Sequence, residues 1–518
     1  MIRKNLVSLT TLSAGLTLLA QSAERPNIIH IMTDDHSFRA MSAYGGIQYG
    51  HTPNLDKLAR EGVLFQKSYV TNSISSPSRA VLLTGKHSHM NKKKNNSGLF
   101  DGKQQTIPKL LQQGGYTTAM IGKWHLESLP TGFDHFEILP GQGHYYNPDF
   151  IQMDSSIVRR RGYCTDLITD MCLEWIGKVK DEKKPFALYM HHKAPHRNWM
   201  PSTKYLDYYE DTTYPLPGNF YDTYEGKSPA AKTAEMRILN HLSEAYDLKI
   251  SDVNPEKWQM AEFKDIWSRM DRNDSIKLRN YYNKNNVDFQ SGKLQGRERD
   301  VFIFNRYIKD YIRTIASVDE SVGRLMDYLK KEGLDKNTLI VYTSDQSFYL
   351  GEHGWYDKRF MYEESFRTPI IIWYPEKIKP RVDKKNLVQN LDFGSTFLDY
   401  AGIDIPDDIQ GISMRPILES KSAKWRKSIY YHYYGYPEIH QVRKHYGVKT
   451  NRYKLIHFYG EPKRQGDEAI DYWEMYDNKK DTFEMNNIYN NPKYIKQQKI
   501  LHNELKRLRK VYKVPVDK

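Results

Sequence analysis

The apolar stretch Asn27-Ile28-Ile29-His30-Ile31-Met32 runs directly into Thr33-Asp34-Asp35. A short, nearly continuous run of apolar residues is typical of a parallel strand that is buried on both faces. Sheets of such strands bind their ligands beyond the carboxyl ends of the strands. The two adjacent carboxylates are therefore predicted to lie at the ligand-binding edge of a central sheet.

Segments of similar character recur along the chain and alternate with helical segments. We predict further strands over 63–70, 117–122, 186–191, 339–343 and 369–374, and helices over 55–62, 106–115, 302–333 and 393–402. This alternation predicts an α/β domain with a large, mostly parallel central sheet flanked by helices. Since Lys123 and Asp345 also follow predicted strands, they are expected at the same edge as Asp34 and Asp35.

The predicted catalytic domain spans residues 24–405, and the pattern of predicted strands and helices changes after it. Residues 200–300 are polar and aromatic-rich, and we predict that they form an insertion with short helices. Residues 406–518 are predicted to form a smaller α+β subdomain with an antiparallel sheet. Its strands are expected over 428–434, 447–450 and 453–458, and a charged helix over 491–512.

Composition indicates a large folded protein with an anionic partner. The 518 residues are enough for two domains, and 39% hydrophobic with 13% aromatic residues excludes a disordered chain. The formal net charge of +14 favours binding of polyanions. No nucleic-acid-binding motif is present, so we expect no nucleic acid among its partners.

Residues 1–23 are typical of a signal peptide. Arg3 and Lys4 precede an apolar stretch broken by Ser and Thr, and the small residues Ala20 and Ser22 suit cleavage. The stretch is too short and too polar for a membrane-spanning helix, and no later segment reads as one. The mature protein is therefore predicted to be periplasmic or secreted and not membrane-spanning.

The two cysteines, Cys164 and Cys172, are predicted to be buried free thiols. Both fall in one predicted helix, eight residues apart. That spacing separates them by about 12 Å along the helix axis, which is too far for a disulfide.

A serine-rich motif follows the predicted strand over 63–70. Ser75-Ser76-Pro77-Ser78-Arg79 is followed after three residues by Leu83-Thr84-Gly85. Such Ser/Pro clusters are usually turns, but the leucines and Gly85 indicate a short helix that ends at this glycine. Ser75 would then lie just before a helix N-terminus, where backbone N–H groups favour an anion.

This motif resembles the maturation signature of type I sulfatases, Cys/Ser-x-Pro-Ser-Arg followed by Thr-Gly. The resemblance extends from Asn27 to the C-terminal subdomain and implies the alkaline-phosphatase-like sulfatase fold. It also implies that a radical SAM sulfatase-maturing enzyme oxidises Ser75 to formylglycine (3-oxoalanine). The hydrated aldehyde is then the nucleophile that accepts sulfate, and the Ser-type signature is typical of bacterial enzymes.

A metal site is predicted from two carboxylate-bearing pairs, Asp34-Asp35 and Asp345-Gln346. Oxygen ligands suit a hard cation, although the first pair alone could equally cap a strand end. The sulfatase pattern combines Asp-Asp with Asp-Asn, Asp-His or Asp-Gln. The resemblance therefore implies one Ca²⁺ held by these four residues and the modified Ser75, acting as a Lewis acid on the sulfate.

Two further motifs resemble catalytic segments of the family, Gly122-Lys123-Trp124-His125 and the sequence His-His-Lys-Ala-Pro-His over 191–196. The resemblance implies that Lys123 contacts the sulfate. His125 would hold one hydroxyl of the hydrated aldehyde and act as a base. His196 would be the general acid that protonates the leaving oxygen, since the pKa of histidine suits proton transfer near neutrality.

Two more cations complete the predicted catalytic set. Lys358 aligns with the family lysine that binds the sulfate, and Arg79 matches the signature arginine that stabilises the hydrated aldehyde. The resemblance implies that these two cations form a cationic cradle for the transferring group, together with Lys123, His196 and the calcium ion.

The substrate prediction comes from the stretches 345–368 and 440–459, which resemble glycosaminoglycan sulfatases, especially N-acetylglucosamine-6-sulfatases. This implies removal of the 6-O-sulfate from N-acetylglucosamine of heparin- or heparan-type chains. The residues predicted to contact the sugar are Lys193, Asp357, Arg359, His440 and His445. The flanking residues could instead form ion pairs at a domain seam.

Three other functions stay open at this point. The chain could be a sulfamidase or an O-sulfatase that acts on another sulfated polysaccharide. It could be a phosphodiester or phosphonate hydrolase of the same superfamily. The non-enzyme alternative is a catalytically dead glycan-binding protein, which the filled catalytic positions disfavour.

Overall fold

The computed structural model describes residues 25–45, 49–251, 257–420 and 423–515, so the predicted signal peptide lies outside the described residues. The strands are β1 (Asn27–Thr33), β2 (Val63–Phe65), β3 (Ser68–Tyr69), β4 (Thr117–Lys123), β5 (His135–Leu139), β6 (Asp149–Ile151), β7 (Ile157–Arg159), β8 (Phe186–His191), β9 (Thr338–Ser344), β10 (Ile370–Trp373), β11 (Arg381–Asp383), β12 (Val388–Gln389), β13 (Ser428–Tyr433), β14 (His445–Thr450), β15 (Tyr453–Gly460) and β16 (Ile470–Asp477). The α-helices are α1 (Pro53–Glu61), α2 (Ser75–Thr84), α3 (Ser88–Asn91), α4 (Ile107–Gln113), α5 (Cys164–Val179), α6 (Pro229–Thr233), α7 (Ile238–His241), α8 (Lys257–Arg269), α9 (Arg272–Gln290), α10 (Gly296–Lys331), α11 (Glu363–Phe366), α12 (Asp392–Tyr400), α13 (Arg415–Glu419) and α14 (Ile495–Val511).

A ten-stranded sheet forms the centre of the molecule, in the order β11-β2-β10-β9-β1-β8-β4-β5-β6-β7. The five strands from β9 to β5 in this order pair in parallel, which confirms the predicted mostly parallel sheet. β10 is antiparallel to both of its neighbours. The loop 345–369 between β9 and β10 therefore starts and ends at the carboxyl edge of β9, beside the end of β1.

Both faces of the sheet are covered by helices. Successive β1 side chains point to opposite faces: Ile29 and Ile31 pack with α1, α5 and α10, whereas Ile28 and Met32 pack with α2, α4 and α12. This double burial explains why β1 is apolar almost throughout. Cys164 and Cys172 are buried and unpaired in α5, as predicted.

The predicted strand over 63–70 is wrong as a single element. The chain forms two short strands, β2 and β3, because β2 pairs with β10 and β11 in the central sheet whereas β3 pairs with β12 in a separate two-stranded sheet. The next element, α2, begins at Ser75 itself and ends at Gly85, whose φ of 63° gives the left-handed cap that glycine favours.

The C-terminal region contains the predicted antiparallel sheet, in the order β13-β14-β15-β16, and α14 packs on one face through Leu501, Leu505 and Leu508. β16 was not predicted, because its sequence mixes charged and aromatic residues. Within residues 200–300, α8 and α9 have 13 and 19 residues, longer than the short helices expected there. In the described part of the chain, no helix combines the length and apolarity needed to cross a membrane.

Candidate active site

The predicted catalytic and metal-binding side chains meet at the carboxyl edge of the central sheet. Parallel strands end at the same edge, so β1, β4, β8 and β9 bring together residues that are far apart in sequence. The α2 N-terminus and the loop 345–369 supply the remaining groups. The residues assembled there are Asp34, Asp35, Ser75, Arg79, Lys123, His125, His196, Asp345, Gln346 and Lys358.

The five residues predicted as metal ligands form one buried cluster. The side-chain amide of Gln346 donates to Asp35 Oδ1 (2.6 Å), to Asp345 Oδ1 (2.8 Å) and to Ser75 Oγ (3.2 Å). Ser75 Oγ donates to Asp34 Oδ1 at 3.3 Å. Ser75 therefore lies between the two carboxylate-bearing segments, at the N-terminus of α2.

This cluster fits a hard cation. Its donors are carboxylate, amide and hydroxyl oxygens, the ligand type that Ca²⁺ takes. The buried Oε1 of Gln346 has no hydrogen-bond partner among the described residues, and rotation of the amide would turn this oxygen toward the carboxylates. Side-chain atoms of Asp34, Asp35 and His196 also lie within 4.8 Å of one another.

The protonation of the cluster reflects crowding of buried carboxylates. Burial, together with the neighbouring carboxylates, raises the pKa of Asp35 to about 7 and that of Asp345 to about 6. Burial alone would also raise the pKa of Asp34, but the surrounding cations, above all Lys123, hold it well below its usual range. A cation bound here would offset the repulsion that raises the first two values.

Three cationic side chains surround the carboxylates. Arg79 donates to Asp345 Oδ2 and Asp34 Oδ2 at 3.1 and 3.3 Å, and to the carbonyl of Lys123 at 2.6 Å. Lys123 forms an ion pair with Asp34. Lys358 Nζ lies 2.7 Å from Asp35 Oδ2. All three cations therefore pair with the carboxylates that surround Ser75, and Asp34, the partner of Arg79 and Lys123, also accepts from Ser75 Oγ.

Gln142, which sequence reasoning missed, links Lys123 and His125. Lys123 donates to Gln142 Oε1, and Gln142 Nε2 lies 3.1 Å from His125 Nε2. Because an ammonium group only donates, the amide oxygen must face Lys123 and the amide nitrogen must donate to His125. The ring proton of His125 is then on Nδ1, which is buried without a partner among the described residues. Gln142 follows β5, a strand that was not predicted.

His196 faces both the carboxylate cluster and a cavity. Its Nε2 is 3.8 Å from Asp35 Oδ2, and its Nδ1 is 2.7 Å from the carbonyl of Arg197. Since a carbonyl accepts, Nδ1 carries the proton of this bond. Burial, and then the positive charge of Lys123, lower the pKa of His196 well below its usual value.

A cavity of about 500 Å³ borders His196, and Ser75 is not among its lining residues. Lys193, one of the predicted sugar contacts, is buried in its wall. The other lining residues come from the loop after β5, the segment after β8, the segment between α7 and α8, α8 itself and the C-terminal region. They are Pro140, Gln142, Gly143, His144, Tyr145, Tyr146, Arg197, Asn198, Met200, Tyr246, Glu262, Asp265, Ile266 and Ile439.

Asp357 and Arg359 flank Lys358 and are paired with each other. Arg359 Nε donates to Asp357 Oδ1 at 2.9 Å, and His440 Nε2 lies 3.2 Å from Asp357 Oδ2. Asp357 has a φ of 73° and Arg359 a φ of 86°. A positive φ is unusual for residues other than glycine, and here it occurs on both sides of Lys358. Three of the predicted sugar contacts therefore lie together beside Lys358, the predicted sulfate-binding lysine.

His445 is not brought to this surface. It is fully buried, its Nε2 accepts from the backbone N–H of Met361 at 3.1 Å, and its Nδ1 lies 2.8 Å from the carbonyl of Arg443. Both ring nitrogens are used inside the protein, so its prediction as a sugar contact is wrong. As the first residue of β14 it points into the core, an orientation that the sequence did not reveal.

Comparison with known proteins agrees with this geometry. The sulfatase family profile matches residues 26–403, and the profile for the C-terminal part of N-sulphoglucosamine sulphohydrolase matches residues 351–511. The chain is 47% identical over 500 residues to an N-acetylglucosamine-6-O-sulfatase of Bacteroides thetaiotaomicron, covering 95% of this chain and 88% of the relative. It is 27% identical over 454 residues to the human N-acetylglucosamine-6-sulfatase, covering 81% and 69%.

Solved sulfatase structures also match this chain along nearly its whole length. The structure of BT4656 in complex with its substrate D-glucosamine-2-N,6-O-disulfate has a TM-score of 0.88 and 46% identity, covering 95% of this chain and 98% of that one. A phosphonate monoester hydrolase from Silicibacter pomeroyi (TM-score 0.69, 18% identity, 94% and 95% covered) shares the fold alone. The chain belongs to the sulfatase family and is a sulfuric ester hydrolase with the alkaline-phosphatase-like sulfatase fold.

Proposed function

We propose that this sulfatase removes the 6-O-sulfate from N-acetylglucosamine or N-sulfated glucosamine of heparin- or heparan-type glycosaminoglycans. The observation that carries the proposal is the position of Ser75 Oγ, 3.3 Å from Asp34 and 3.2 Å from Gln346, at a helix N-terminus. The 47% identical N-acetylglucosamine-6-O-sulfatase supports the sugar and the position of the sulfate.

Ser75 is the residue that we expect to be converted to formylglycine. A radical SAM sulfatase-maturing enzyme would remove two hydrogens from its side chain before export, and the hydrated aldehyde supplies the nucleophilic oxygen. Asp34, Asp35, Asp345 and Gln346 would hold one Ca²⁺ beside it. The ion supplies Lewis-acid polarisation of the sulfate oxygens when bound.

The sulfate would be held by cationic side chains that pair with the carboxylates around Ser75. Lys123 and Lys358 bind its oxygens, and Arg79 keeps Asp34 and Asp345 in place through its guanidinium. Preorganised positive groups of this kind stabilise the charge that develops on a transferring group. Their burial also excludes water that would compete for the sulfate.

Two histidines would move protons on opposite sides of the sulfate. With both ring nitrogens protonated, His196 would donate the proton on Nε2 to the sugar oxygen that leaves, since Nδ1–H is held by the Arg197 carbonyl. The negative charge of a bound sulfate would favour this protonated form, which burial and Lys123 disfavour in the protein alone. His125 would hold the nucleophilic hydroxyl through Nδ1–H and would accept its proton later in the cycle at Nε2, once Gln142 releases that nitrogen. The sugar itself would contact Asp357, Arg359 and His440, beside the sulfate-binding Lys358.

A second candidate is hydrolysis of the N-sulfate of glucosamine. The match of residues 351–511 to the C-terminal part of N-sulphoglucosamine sulphohydrolase favours it. The same groups would hold an N-sulfate, but His196 would then protonate nitrogen. The 47% identical relative favours the 6-O-sulfate instead.

The test uses protein co-expressed with a sulfatase-maturing enzyme and glucosamine-2-N,6-O-disulfate as substrate. Released sulfate is measured by ion chromatography, and NMR of the sugar identifies which sulfate has been lost. Loss of the 6-O-sulfate with the N-sulfate retained supports the proposal. Loss of the N-sulfate alone would favour the second candidate, and no release by fully matured protein would contradict both.

The expected location is the periplasm or the exterior of the cell, after cleavage of the signal peptide near residues 20–23. N-terminal sequencing of the protein purified from its host tests this. A mature chain that begins near residue 24 supports export, whereas an intact N-terminus on cytoplasmic protein contradicts it.

A further inference from the structure

A buried ammonium group lies in the cavity wall without a carboxylate partner. Lys193 is 4% exposed; its Nζ donates to the carbonyl of Gln142 at 3.1 Å and lies 4.9 Å from the centre of the Tyr145 ring. It forms no ion pair with any residue in the described ranges. Since an ammonium has three N–H donors, two of them are left for another acceptor.

The other cation in the same wall, Arg197, is already neutralised by the protein, and burial lowers the pKa of His144 to about 4, which leaves that ring neutral near pH 7. Arg197 donates twice to Asp247, at 2.7 and 2.6 Å. His144 lies 3.3 Å from Asp265, which also pairs with Arg269. Glu262 lines the cavity as well but makes no ion pair with Lys193. Among the described residues of this wall, Lys193 is therefore a buried cation without an ion pair, whereas Glu262 is an exposed carboxylate.

An unpaired charge of this kind points to a ligand. Buried charges in folded proteins are as a rule paired, because removing a charge from water is costly. Burial accordingly lowers the pKa of Lys193 to about 7. The cavity of about 500 Å³ has the size of a small-molecule site. An anion bound there would supply the missing partner.

We propose that Lys193 binds a second anionic group of the substrate, on the sugar side of the scissile bond. The inference rests on the proposed function: the sulfate to be removed lies at Ser75, and the cavity borders His196, which faces the leaving oxygen. A group in the cavity therefore belongs to the leaving sugar or its neighbour. Its chemical class is a sulfate or carboxylate, such as a 2-N-sulfate or an adjacent uronate.

The kinetic test compares Lys193→Met with the wild type on three 6-O-sulfated substrates: N-acetylglucosamine-6-sulfate, glucosamine-2-N,6-O-disulfate and a disaccharide that carries a uronate. The preference is the kcat/KM for a doubly anionic substrate divided by the kcat/KM for N-acetylglucosamine-6-sulfate. We expect Lys193→Met to lower this ratio about tenfold for at least one doubly anionic substrate, mainly through a higher KM, because a charge-assisted hydrogen bond is lost. The substrate that loses its advantage identifies the source of the anion. An equal fall on all three substrates would overturn the inference.

A binding test does not depend on turnover. Isothermal titration with glucosamine-2-N-sulfate, with an unsulfated uronate disaccharide and with N-acetylglucosamine uses ligands without a 6-O-sulfate. Lys193→Met should weaken binding of an anionic ligand about tenfold, and Lys193→Arg should restore part of it. Lys184→Met, an exposed lysine just before β8, is the matched control. Unchanged affinities for both anions would overturn the inference, even if 6-O-sulfate release succeeds.

Discussion

The molecule buries two clusters of charged side chains, and they differ in how their charges are compensated. In the C-terminal cluster, Lys454 lies 2.6 Å from Glu484 and 3.0 Å from Glu363, and Lys449 lies 3.5 Å from Glu363. Burial would raise the pKa of Glu363, but these lysines hold it well below its usual value. Two acids and two lysines compensate one another at close range.

The catalytic cluster shows the opposite behaviour. Burial and mutual repulsion raise the pKa of Asp35 to about 7 and that of Asp345 to about 6, although lysines and an arginine are close by. The amide oxygen of Gln346 is buried without a partner among the described residues. The comparison teaches that the acids of the C-terminal cluster are neutralised by the protein's own lysines, whereas the catalytic cluster keeps two carboxyl groups with raised pKa, as we expect of a site that takes up a cation and an anionic substrate. Changes in the first should affect stability and changes in the second should affect turnover.

The largest expected effect is that of Ser75→Ala. The variant cannot form formylglycine, so we expect sulfate release to fall by about 10⁴-fold or more, as for loss of other catalytic nucleophiles. Its unfolding transition should match that of the wild type within error, since only one hydroxyl is lost. Residual turnover above one per cent would show that Ser75 is not the nucleophile.

Lys454→Met should have the second largest effect, on stability alone. It leaves Glu363 and Glu484 buried with one lysine fewer, so the free energy of unfolding should fall by about 3–5 kcal/mol. In the wild type, the lowered pKa of Glu363 contributes stability above its ordinary value of 4.5, and this contribution is lost as the pH falls below it. Urea unfolding at several pH values checks both statements, with the exposed Lys499→Met as control. A large loss of kcat in folded Lys454→Met would contradict the claim that the C-terminal cluster affects stability alone.

Calcium should stabilise the wild type by an intermediate amount. A ligand that binds only the folded state at 100 times its Kd adds about 2.7 kcal/mol. Thermal unfolding with and without added Ca²⁺ measures the shift, which Asp345→Asn should largely abolish and the exposed Asp404→Asn should retain. Equal shifts in both variants would mean that the ion binds elsewhere.

Gln142→Ala should have the smallest effect. It removes the hydrogen bonds to Lys123 and His125, so we expect kcat to fall about tenfold with little change in KM, the range for one or two hydrogen bonds. Steady-state kinetics measures this, with Gln113→Ala at the exposed end of α4 as control. An unchanged kcat would show that the link between the two catalytic residues has no role in turnover.

The sequence predicted the sheet and most of the site because its strand segments indicate both where the buried strands run and which side chains lie at their ends. The apolar runs of β1, β8 and β9 indicate buried strands, and the polar residues at their ends indicate which side chains meet. Asp34, Asp35 and Asp345 could therefore be placed together from the sequence alone. The predictions for Lys193, His125 and His196 came from motifs rather than from periodicity.

The failures have physical causes. Gln142 follows β5, whose mixed sequence gave no strand signal, and its role depends on two contacts across the sheet edge. His445 has the residue type of a sugar contact, but the register of β14 turns it into the core. The stretch over 63–70 reads as one strand, yet its two halves find partners in different sheets. Each failure depends on tertiary contacts that no local pattern contains.

The most direct test of the central claim is the mass of the tryptic peptide 68–79, which contains Ser75, from protein made in its native host. Conversion of serine to formylglycine removes two hydrogens, so we predict a mass about 2 Da below that of the unmodified peptide. Fragment ions should place the loss at Ser75 rather than at Ser73, Ser76 or Ser78. An unmodified peptide from active protein would contradict the account, because the proposed nucleophile would then be absent.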